Sequence, residues 1–356
     1  MRKKMLTLTL SVVMAFSLMT GCGKSNEPVS TETATEEAAA ATTETADVTE
    51  SDTEIAAEPE TEASSQDAAD DSSKPTTDRS GNSISIPENV DRIISMAPST
   101  TRFLIDLGLA DKIVAIDTNS YAYIEVLPTG VQQFDMMAPD NEALVALKPD
   151  IIFTSGMSSF GGEDVFQPAR DAGICVADIP SSTSFDEIAD DLSFIGAATG
   201  CSEKAAELIN EFKDKIDQVK EIGSSITEKK TILFMISLPS AEYPSIYTFG
   251  KGTYLDEMIT DIGAVNVTGD QEGWISISEE EAIAMNPDVI VTNINYVEDV
   301  VNTIKNSTGW ENVNAIKNDE VYYIDADSSN QPNNHTVDAM IEMAEQVYPD
   351  KFADFR

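Results

Sequence analysis

The sequence has a single histidine, His335, and three cysteines among its 356 residues. One histidine offers one possible base for a Ser–His–Asp triad, and the GxSxG motif that such a triad would need is absent. A zinc or manganese site needs clustered histidine and carboxylate ligands, which a single histidine cannot supply. The cysteines form no CxxC pair of the kind found in metal or redox sites. We therefore expect no enzyme, no resident metal and no cofactor.

Positive charge is also scarce. The chain has 22 lysine and arginine residues against 63 aspartate and glutamate residues, a formal net charge of −41. A nucleic-acid-binding protein needs a basic surface, so this composition excludes that class. The same charge argues against electrostatic docking on an anionic membrane surface.

The sequence has few long apolar runs, and the one at the start is too short for a transmembrane helix. A basic head, "MRKK", precedes the apolar core "MLTLTLSVVMAFSLM", so residues 1–22 read as an export signal. Its end, Met19-Thr20-Gly21-Cys22, resembles the lipobox of bacterial lipoproteins. That resemblance implies that Cys22 carries a lipid, which would hold the protein on the extracytoplasmic side of the cell membrane.

Residues 23–78 contain no aromatic side chain and 16 acidic residues against Lys24 and Lys74. Such a segment cannot bury enough apolar surface to fold. We interpret it as a disordered acidic linker.

From residue 79 onward, β-branched runs alternate with helical patterns, which predicts parallel sheets covered on both faces. The expected strands lie at 92–96, 112–117, 150–154, 173–178, 231–236, 288–292 and 321–325. Apolar residues at helical spacing from Ser202 to Ile226 predict one long helix between the two sets. The fold class is therefore α/β, with two Rossmann-like lobes (79–201 and 229–356), an interlobe helix (202–228) and a ligand cleft between the lobes.

One phrase occurs twice. "NEALVALKPDIIFT" (141–154) and "EEEAIAMNPDVIVT" (279–292) align without a gap, each with a glutamate seven residues before a proline. Each predicts a short helix that ends before the proline, followed by a strand. Glu142 and Glu280 would then begin helices beside the carboxyl ends of the strands, the edge at which open α/β sheets bind ligands.

The phrases "RIISMAPSTTRFLIDLGLADKIVAID", "DNEALVALKPDIIF", "GWISISEEEAIAMNPDVIV" and "WENVNAIKNDEVYYID" occur in this order. Over residues 84–356 the chain resembles the iron-complex (siderophore, haem and vitamin B12) substrate-binding proteins of ABC importers. The resemblance implies cargo held in the cleft and delivery to a permease and its ATPase. It also implies that Glu142 and Glu280 dock on the permease, although Glu279 and Glu281 flank Glu280 and leave the assignment open.

Loops after the predicted strands supply the candidate pocket, although any of these residues could be core instead. Aromatic and methionine side chains suit a large, partly apolar ligand. The N-terminal candidates are Ser99, Thr100, Arg102, Met136, Met137 and Met157. The C-terminal candidates are Tyr247, Phe249, Lys251, Trp274, Asn295, Tyr296, Asn334 and His335.

The ligand stays open at this point. A ferric siderophore is our first expectation, with haem or a corrinoid as alternatives. Strongly anionic catecholates need several cations, and only Arg102 and Lys251 are candidates. For haem, Met137 and His335 could be axial ligands, although a hydrogen-bonding His335 at a helix start is the plainer interpretation.

Three further expectations complete the prediction. We expect a monomer that closes only slightly on its ligand, because one stiff helix joins the lobes. Cys175 and Cys201 are expected as free thiols, with a disulfide as the alternative. A different class, a lipid-anchored surface sensor or adhesion module without transport, also fits much of the sequence.

Overall fold

The computed structural model describes residues 74–159, 161–353 and 355. These residues belong to one unit of the chain, so the two lobes can be compared directly. The predicted export signal, Cys22 and residues 23–73 of the predicted linker lie outside the described residues.

The N-terminal lobe is built on a five-stranded parallel sheet of order β3-β2-β1-β4-β5. Its strands are β1 (Ile93–Ser95), β2 (Ile113–Asp117), β3 (Gln132–Phe134), β4 (Ile151–Ser155) and β5 (Cys175–Ile179). Its helices are α1 (Pro98–Asp106), α2 (Asn141–Ala146), α3 (Gln167–Asp171) and α4 (Phe185–Thr199), with 3₁₀ turns at Ala110–Lys112, Thr118–Val126 and Gly156–Ser159.

Helix α5 (Ser202–Ser224) leads into the C-terminal lobe. There a four-stranded parallel sheet has the order β11-β10-β6-β8, and β7 and β9 form a separate antiparallel pair. The strands are β6 (Thr231–Met235), β7 (Ser245–Phe249), β8 (Val265–Asn266), β9 (Trp274–Ser278), β10 (Val289–Thr292) and β11 (Val321–Tyr323). The helices are α6 (Tyr254–Asp261), α7 (Glu279–Met285), α8 (Val300–Lys305), α9 (Asn314–Lys317), α10 (Ala326–Ser329), α11 (Thr336–Val347) and α12 (Pro349–Phe352).

The central strands β1, β4, β6 and β10 are buried on both faces, which is why they are rich in Ile, Val, Leu and Phe. One large apolar cluster is continuous from the N-terminal lobe through α5 to α6 and α11. Two smaller clusters cover the opposite face of each sheet. The predicted α/β fold of two lobes is confirmed.

Helix α5 occupies the position predicted for the long connecting helix. Its inward side chains Phe212, Ile216 and Val219 are buried in the continuous cluster. Phe212 meets Phe185 of α4 edge to face, with ring centroids 5.8 Å apart. Whether α5 acts as a rigid strut stays a prediction.

At each end of α5, the contact with a neighbouring helix includes a glycine at which a side chain would overlap its neighbour. At the first end, a Cβ on Gly196 of α4 would lie 2.4 Å from the Cβ of Ala205. At the other, a Cβ on Gly223 would lie 2.1 Å from the carbonyl oxygen of Asp261, where α6 ends. Glycine is required at both contacts because any larger residue would overlap its neighbour.

The folded chain includes residues that we had placed at the end of the linker. Asp78 is only 6% exposed, and its carboxylate accepts hydrogen bonds from the backbone N–H groups of Ser80, Asn82 and Asp178. Next to it, Arg79 donates to Asp191 of α4 at 2.7 Å. Asp78 is therefore bound to the edge strand β5, and Arg79 to α4. The folded N-terminal lobe thus begins before residue 79.

Four strands were not predicted: β3, β7, β8 and β9. β3 and β8 have only three and two residues. β7 and β9 alternate exposed and buried side chains rather than forming a continuous apolar run. Such short or two-sided strands depend on pairing with a partner distant in sequence, which local patterns do not reveal.

Candidate functional site: the cleft between the lobes

The carboxyl ends of the two parallel sheets carry the loops that face the cleft. A 3₁₀ segment, Thr118–Val126, follows β2 directly. Within it the Tyr123 hydroxyl donates to Gln331 Oε1 of the C-terminal lobe at 2.9 Å. This contact brings the loop edges of the two lobes together, in the place where open α/β sheets hold ligands.

Exposed apolar side chains are concentrated on these edges. Among the described residues, ten large hydrophobic side chains are exposed, and Val265 is the only one of them that lies elsewhere, on the edge strand β8. The other nine follow β2, β3, β4, β6 or β10, or lie in the β7–β9 pair: Tyr121, Ile124, Val126, Met137, Met157, Tyr243, Tyr247, Trp274 and Tyr296. Exposed apolar surface gathered in this way indicates a binding site.

The centre of the C-terminal wall is Trp274, which is 46% exposed. Tyr247 stacks on it with ring centroids 5.9 Å apart and planes 16° apart. Phe249 and Tyr254 meet it nearly edge-on from below, at 6.1 and 6.4 Å. Tyr254 is itself fixed by a hydrogen bond from its hydroxyl to the Ser329 carbonyl at 2.9 Å. The wall is thus an aromatic surface whose orientation is set by buried rings.

Several predicted pocket residues are exposed on these loop edges, and their contact with a ligand stays a prediction. Met137, Met157, Tyr247, Trp274 and Tyr296 are all exposed there, as is the polar Asn295. Ser99 is half-buried in the first turn of α1.

Three predicted pocket residues are buried, and the prediction is wrong for them. Phe249 is fully buried under Trp274, and Thr100 is 1% exposed in α1. Met136 is 8% exposed in the cluster on one sheet face, where its sulfur accepts a hydrogen bond from Ser155 Oγ. Alternation along a loop places neighbours on opposite sides, so Met136 points inward where Met137 points outward.

Arg102, Asn334 and His335 lie together where α1 meets the start of α11. Asp106, at the end of α1, is their common partner: it accepts from Arg102 Nε at 3.1 Å, Asn334 Nδ2 at 3.0 Å and His335 Nε2 at 2.9 Å. His335 Nδ1 lies 3.0 Å from Asp338 Oδ2. These contacts link the lobes to each other and occupy both ring nitrogens of His335.

The same contacts set the protonation of this group. Hydrogen bonds to Asp106 and Asp338 raise the pKa of His335 to about 9. Burial alone would raise the pKa of Asp106, but the hydrogen bonds from His335 and Asn334 hold it below its usual value. Both ring nitrogens of His335 already face carboxylates, so the structure does not place His335 as an axial haem ligand.

The other candidate cation, Lys251, is also paired. Its ammonium group lies 3.2 Å from Glu272 Oε1, and both side chains are largely exposed. Neither Arg102 nor Lys251 is therefore a cation without a carboxylate partner. The described residues also contain no group of three or more His, Cys, Asp or Glu side chains that could hold a metal ion.

The repeated phrase places its two glutamates at equivalent positions. Glu142 is the second residue of α2 and Glu280 the second residue of α7, and both are exposed. The structure also separates Glu280 from its neighbours. Glu279 Oε1 accepts the indole N–H of Trp310 at 2.7 Å, and Glu281 closes a capping box with Ser278. Of the three adjacent glutamates, Glu280 is the one whose carboxylate the fold does not use.

The sequence analysis did not include four exposed apolar residues on these loop edges: Tyr121, Ile124, Val126 and Tyr243. The first three lie in "TNSYAYIEV", directly after the predicted strand 112–117. An apolar stretch outside any helical or strand period, placed after a strand, was the signal that could have revealed them. Tyr243 lies between β6, which was predicted, and β7, which was not, so the extent of the loop that carries it was not recognised.

The remaining sequence predictions concern thiols and membrane spans. Cys175 and Cys201 are free, half-buried cysteines, as expected. Burial raises the pKa of the Cys175 thiol. Across the part of the chain that the structure describes, no helix is both long and apolar enough to span a membrane.

This arrangement of two lobes can be compared with known proteins. The family model described as periplasmic binding protein matches residues 93–328. The chain belongs to the periplasmic binding protein family.

Two curated relatives and one solved structure are similar to this periplasmic binding protein. An uncharacterized ABC transporter substrate-binding lipoprotein, YvrC, of Bacillus subtilis is 31% identical over 78% of this chain and 86% of its own length. A vitamin B12-binding protein of Vibrio cholerae is 26% identical over 71% and 88%. A structure from Staphylococcus epidermidis, described as a possible iron-binding (periplasmic solute-binding) protein, is 29% identical with a TM-score of 0.64, covering 73% of this chain and all of that one.

Proposed function

We propose that this protein is the substrate-binding component of an ABC importer. Its cargo is a large, near-neutral metal complex with extensive apolar surface, of the ferric hydroxamate or corrinoid kind. The cargo lies between the lobes against the aromatic wall around Trp274. The observation that carries this proposal is the gathering of nine exposed apolar side chains on the facing loop edges.

The shape and chemistry of the site support a bulky ligand. The exposed rings and thioethers come from both lobes, so a ligand that touches all of them must be large. Aromatic faces and methionines contribute mainly apolar contact, which suits a macrocycle or a chelate whose metal is wrapped in organic ligand. A small hydrated ion would leave most of this surface unused.

The charges around the site support a near-neutral ligand. A ferric catecholate is strongly anionic and needs unpaired cations at its site. Here Arg102 is paired with Asp106, and Lys251 with Glu272. An anionic ligand would compete with these carboxylates for the two cations, which costs binding free energy.

The relatives support the transport role. The Bacillus protein is named as a substrate-binding lipoprotein of an ABC transporter, and the Vibrio protein as a vitamin B12-binding protein. In this role Glu142 and Glu280 dock on the permease, one from each lobe, and a lipid on Cys22 holds the protein on the extracytoplasmic side of the cell membrane. Replacement of Cys22 by alanine should release the protein from membranes without changing cargo affinity. Equal membrane retention would remove the anchor from the proposal.

Calorimetric titration of the full chain tests the cargo. The panel is a ferric hydroxamate, cobalamin, haem and a ferric catecholate, and we expect tight binding of one of the first two. Trp274→Ala should weaken that binding about 30-fold, the effect of removing an aromatic anchor worth about 2 kcal/mol. Val265→Ala is the matched control, because Val265 is an exposed apolar residue away from the cleft.

Each other outcome of the panel has a definite meaning. Tight binding of the catecholate alone would overturn the near-neutral assignment. Haem binding with an unchanged Soret band in His335→Ala would place haem in the cleft without this ligand. Equal losses in Trp274→Ala and Val265→Ala would show that the aromatic wall is not the binding surface.

A further inference from the structure

A row of charged side chains joins the two lobes beside helix α5. We call it the seam network; it consists of Arg102, Asp106, Lys215, His335 and Asp338. Asp106 and Arg102 belong to α1 of the N-terminal lobe, and His335 and Asp338 to the start of α11 in the C-terminal lobe. Lys215 of α5 donates to Asp338 Oδ1 at 2.8 Å.

His335 is the centre of this network. Its Nε2 faces Asp106 Oδ2 at 2.9 Å, and its Nδ1 faces Asp338 Oδ2 at 3.0 Å. Arg102 Nη2 also lies 2.7 Å from Nε2, but an arginine nitrogen always donates, so that contact needs an unprotonated Nε2. With two carboxylates at the ring, the protonated form is favoured, and both ring N–H groups then donate to carboxylates. The same Nη2 of Arg102 also donates to Asp106 Oδ1 at 3.0 Å.

The seam network is partly buried, so it is a structural link between the lobes rather than a surface contact. Asp106 is 12% exposed, and His335 is 33% exposed. A cavity of about 220 Å³ adjoins the network, and Lys204 and Glu211 of α5 are the other charged groups that line it. Three elements therefore face His335: α1 with Arg102 and Asp106, α11 with Asp338, and α5 with Lys204, Glu211 and Lys215.

We infer that His335 is a positioning residue, whose doubly donating ring holds α1 and α11 together and thereby sets the spacing of the lobes and the width of the cleft. The inference rests on the proposed function, because lobe spacing affects binding only if the cargo lies between the lobes. It replaces the role as iron ligand that the sequence suggested for the same histidine.

The chemistry of the ring explains why a histidine occupies this position. Its two N–H groups point away from each other on a flat, rigid ring, so it can bridge one carboxylate on α1 and one on α11. A neutral amide such as glutamine can donate toward one of them, but it cannot reach both or compensate both charges. Loss of the ring would leave Asp106 and Asp338 facing one another without the positive charge between them.

Distance measurement by electron paramagnetic resonance tests the inference. Spin labels on Glu142→Cys and Glu280→Cys report lobe spacing, in a full chain that also carries Cys22→Ala, Cys175→Ser and Cys201→Ser. With His335 present we expect one narrow distance distribution. His335→Ala, His335→Gln and Asp106→Asn should each broaden or shift it. Lys213→Gln is the matched control, since Lys213 pairs with Asp186 on α4 and does not bridge the lobes.

A pH series adds a readout that a merely structural role would not change. At pH 7 the ring is charged and both contacts are made, and above pH 9 the ring is neutral and can donate only once. The distribution of the labelled parent should therefore broaden between pH 8 and 10. His335→Gln should show the same broad distribution throughout, with every other titrating group unchanged.

The outcomes distinguish this inference from the proposed cargo. If His335→Gln and Asp106→Asn, both folded by circular dichroism, keep the parent distribution at every pH, the positioning role is refuted. If the distribution broadens as expected and cobalamin or the ferric hydroxamate binds, affinity should fall about threefold, since only part of the population keeps the binding geometry. A broadened distribution in a protein that binds no member of the panel would overturn the proposed cargo and still support the positioning role of His335.

Discussion

The two copies of the repeated phrase show which of its residues belong to the fold. In the first copy, Asp150 accepts the backbone N–H groups of Asp91 and Arg92 at 2.8 Å each, just before β1. In the second copy, Asp288 accepts the backbone N–H and hydroxyl of Thr231, at the start of β6. Each aspartate thus fixes the start of the neighbouring strand in its own sheet.

The turns before the prolines also match. Lys148 and Asn286, the residues before Pro149 and Pro287, have φ of 50° and 49°. This left-handed conformation ends the helix, and the proline then prevents its continuation. The Pro-Asp part of the phrase is therefore explained by folding alone.

The first helical turns of α2 and α7 are capped differently, but in both the carboxylate of the second residue, Glu142 or Glu280, takes no part in the cap. In α2 the cap is Asp140, which accepts the N–H of Ala143. In α7 the cap is the Ser278–Glu281 box, with Glu279 held by Trp310. Within the described residues neither the carboxylate of Glu142 nor that of Glu280 has a hydrogen bond or an ion pair. The fold uses the neighbouring carboxylates in both copies but not those of Glu142 and Glu280. This supports a role for these two residues in contact with another protein.

The largest effect should come from reversing these two charges. By the family resemblance, the two glutamates would dock on arginines of the permease. Glu142→Lys with Glu280→Lys should therefore reduce cargo uptake by well over tenfold, because like charges opposed at an interface cost several kcal/mol. Each single alanine variant should do less, since an exposed pair contributes about 0–1 kcal/mol. Uptake by cells that express each variant is the measurement.

Glu281→Lys is the control for local charge in that experiment, since Glu281 is committed to its cap. Cargo affinity should be unchanged in every variant. Wild-type uptake by the doubly reversed protein would show that the glutamates are not the docking residues.

The next effect concerns stability. Asp150→Ala and Asp288→Ala should each lower the free energy of unfolding by roughly 1.5–3 kcal/mol, because each removes charged hydrogen bonds to strand-start groups. Glu142→Ala and Glu280→Ala should change it by less than about 0.5 kcal/mol. Urea unfolding of the four proteins makes the comparison. Similar losses for the glutamate and aspartate variants would erase the distinction between docking and folding residues.

A smaller effect should distinguish the two caps. Ser278→Ala should cost about 1 kcal/mol, the usual loss for an N-cap. Asp140→Ala should cost somewhat less, because α2 lacks the reciprocal bond of a capping box. Thermal unfolding can rank the two. A larger loss for Asp140→Ala would mean that the box adds nothing to α7.

The smallest effect should be on the loss of folding stability at acid pH. Burial tends to raise the pKa of Asp288, but the hydrogen bonds from Thr231 and Asn314 hold it below the usual value. A carboxylate whose pKa is lower in the folded state stabilises it above the ordinary pKa near 4, and that stabilisation is lost as the pH falls further. Between pH 5 and pH 2, Asp288→Asn should therefore lose less stability than the parent. Parallel curves for the two proteins would contradict this.

The sequence was sufficient for features that repeat locally. Seven strands, the long helix α5 and the matching positions of Glu142 and Glu280 follow from apolar runs, helical spacing and one repeated phrase. The exposed Trp274 and Tyr247 were also predicted.

What the sequence could not show are contacts between residues far apart in the chain. The charge of His335 depends on Asp106, which is 229 residues away. Phe249 is buried because Trp274 packs over it, and β7 exists because β9 pairs with it. Such partners are chosen by the assembled lobes, so a local pattern gives Met136 and Met137 the same environment although the fold separates them.

As the rigid strut that we predict, α5 would make the orientation of the lobes depend on the number of residues between its two glycine contacts. Gly196 meets Ala205 at one end of the helix, and Gly223 meets the end of α6 at the other. Between those contacts each residue adds 1.5 Å of length and about 100° of rotation. Deleting one residue there would turn one lobe about the helix axis relative to the other, so the cleft would no longer face itself. We therefore expect sequence drift in α5 to proceed by substitution, with insertions and deletions confined to the loops.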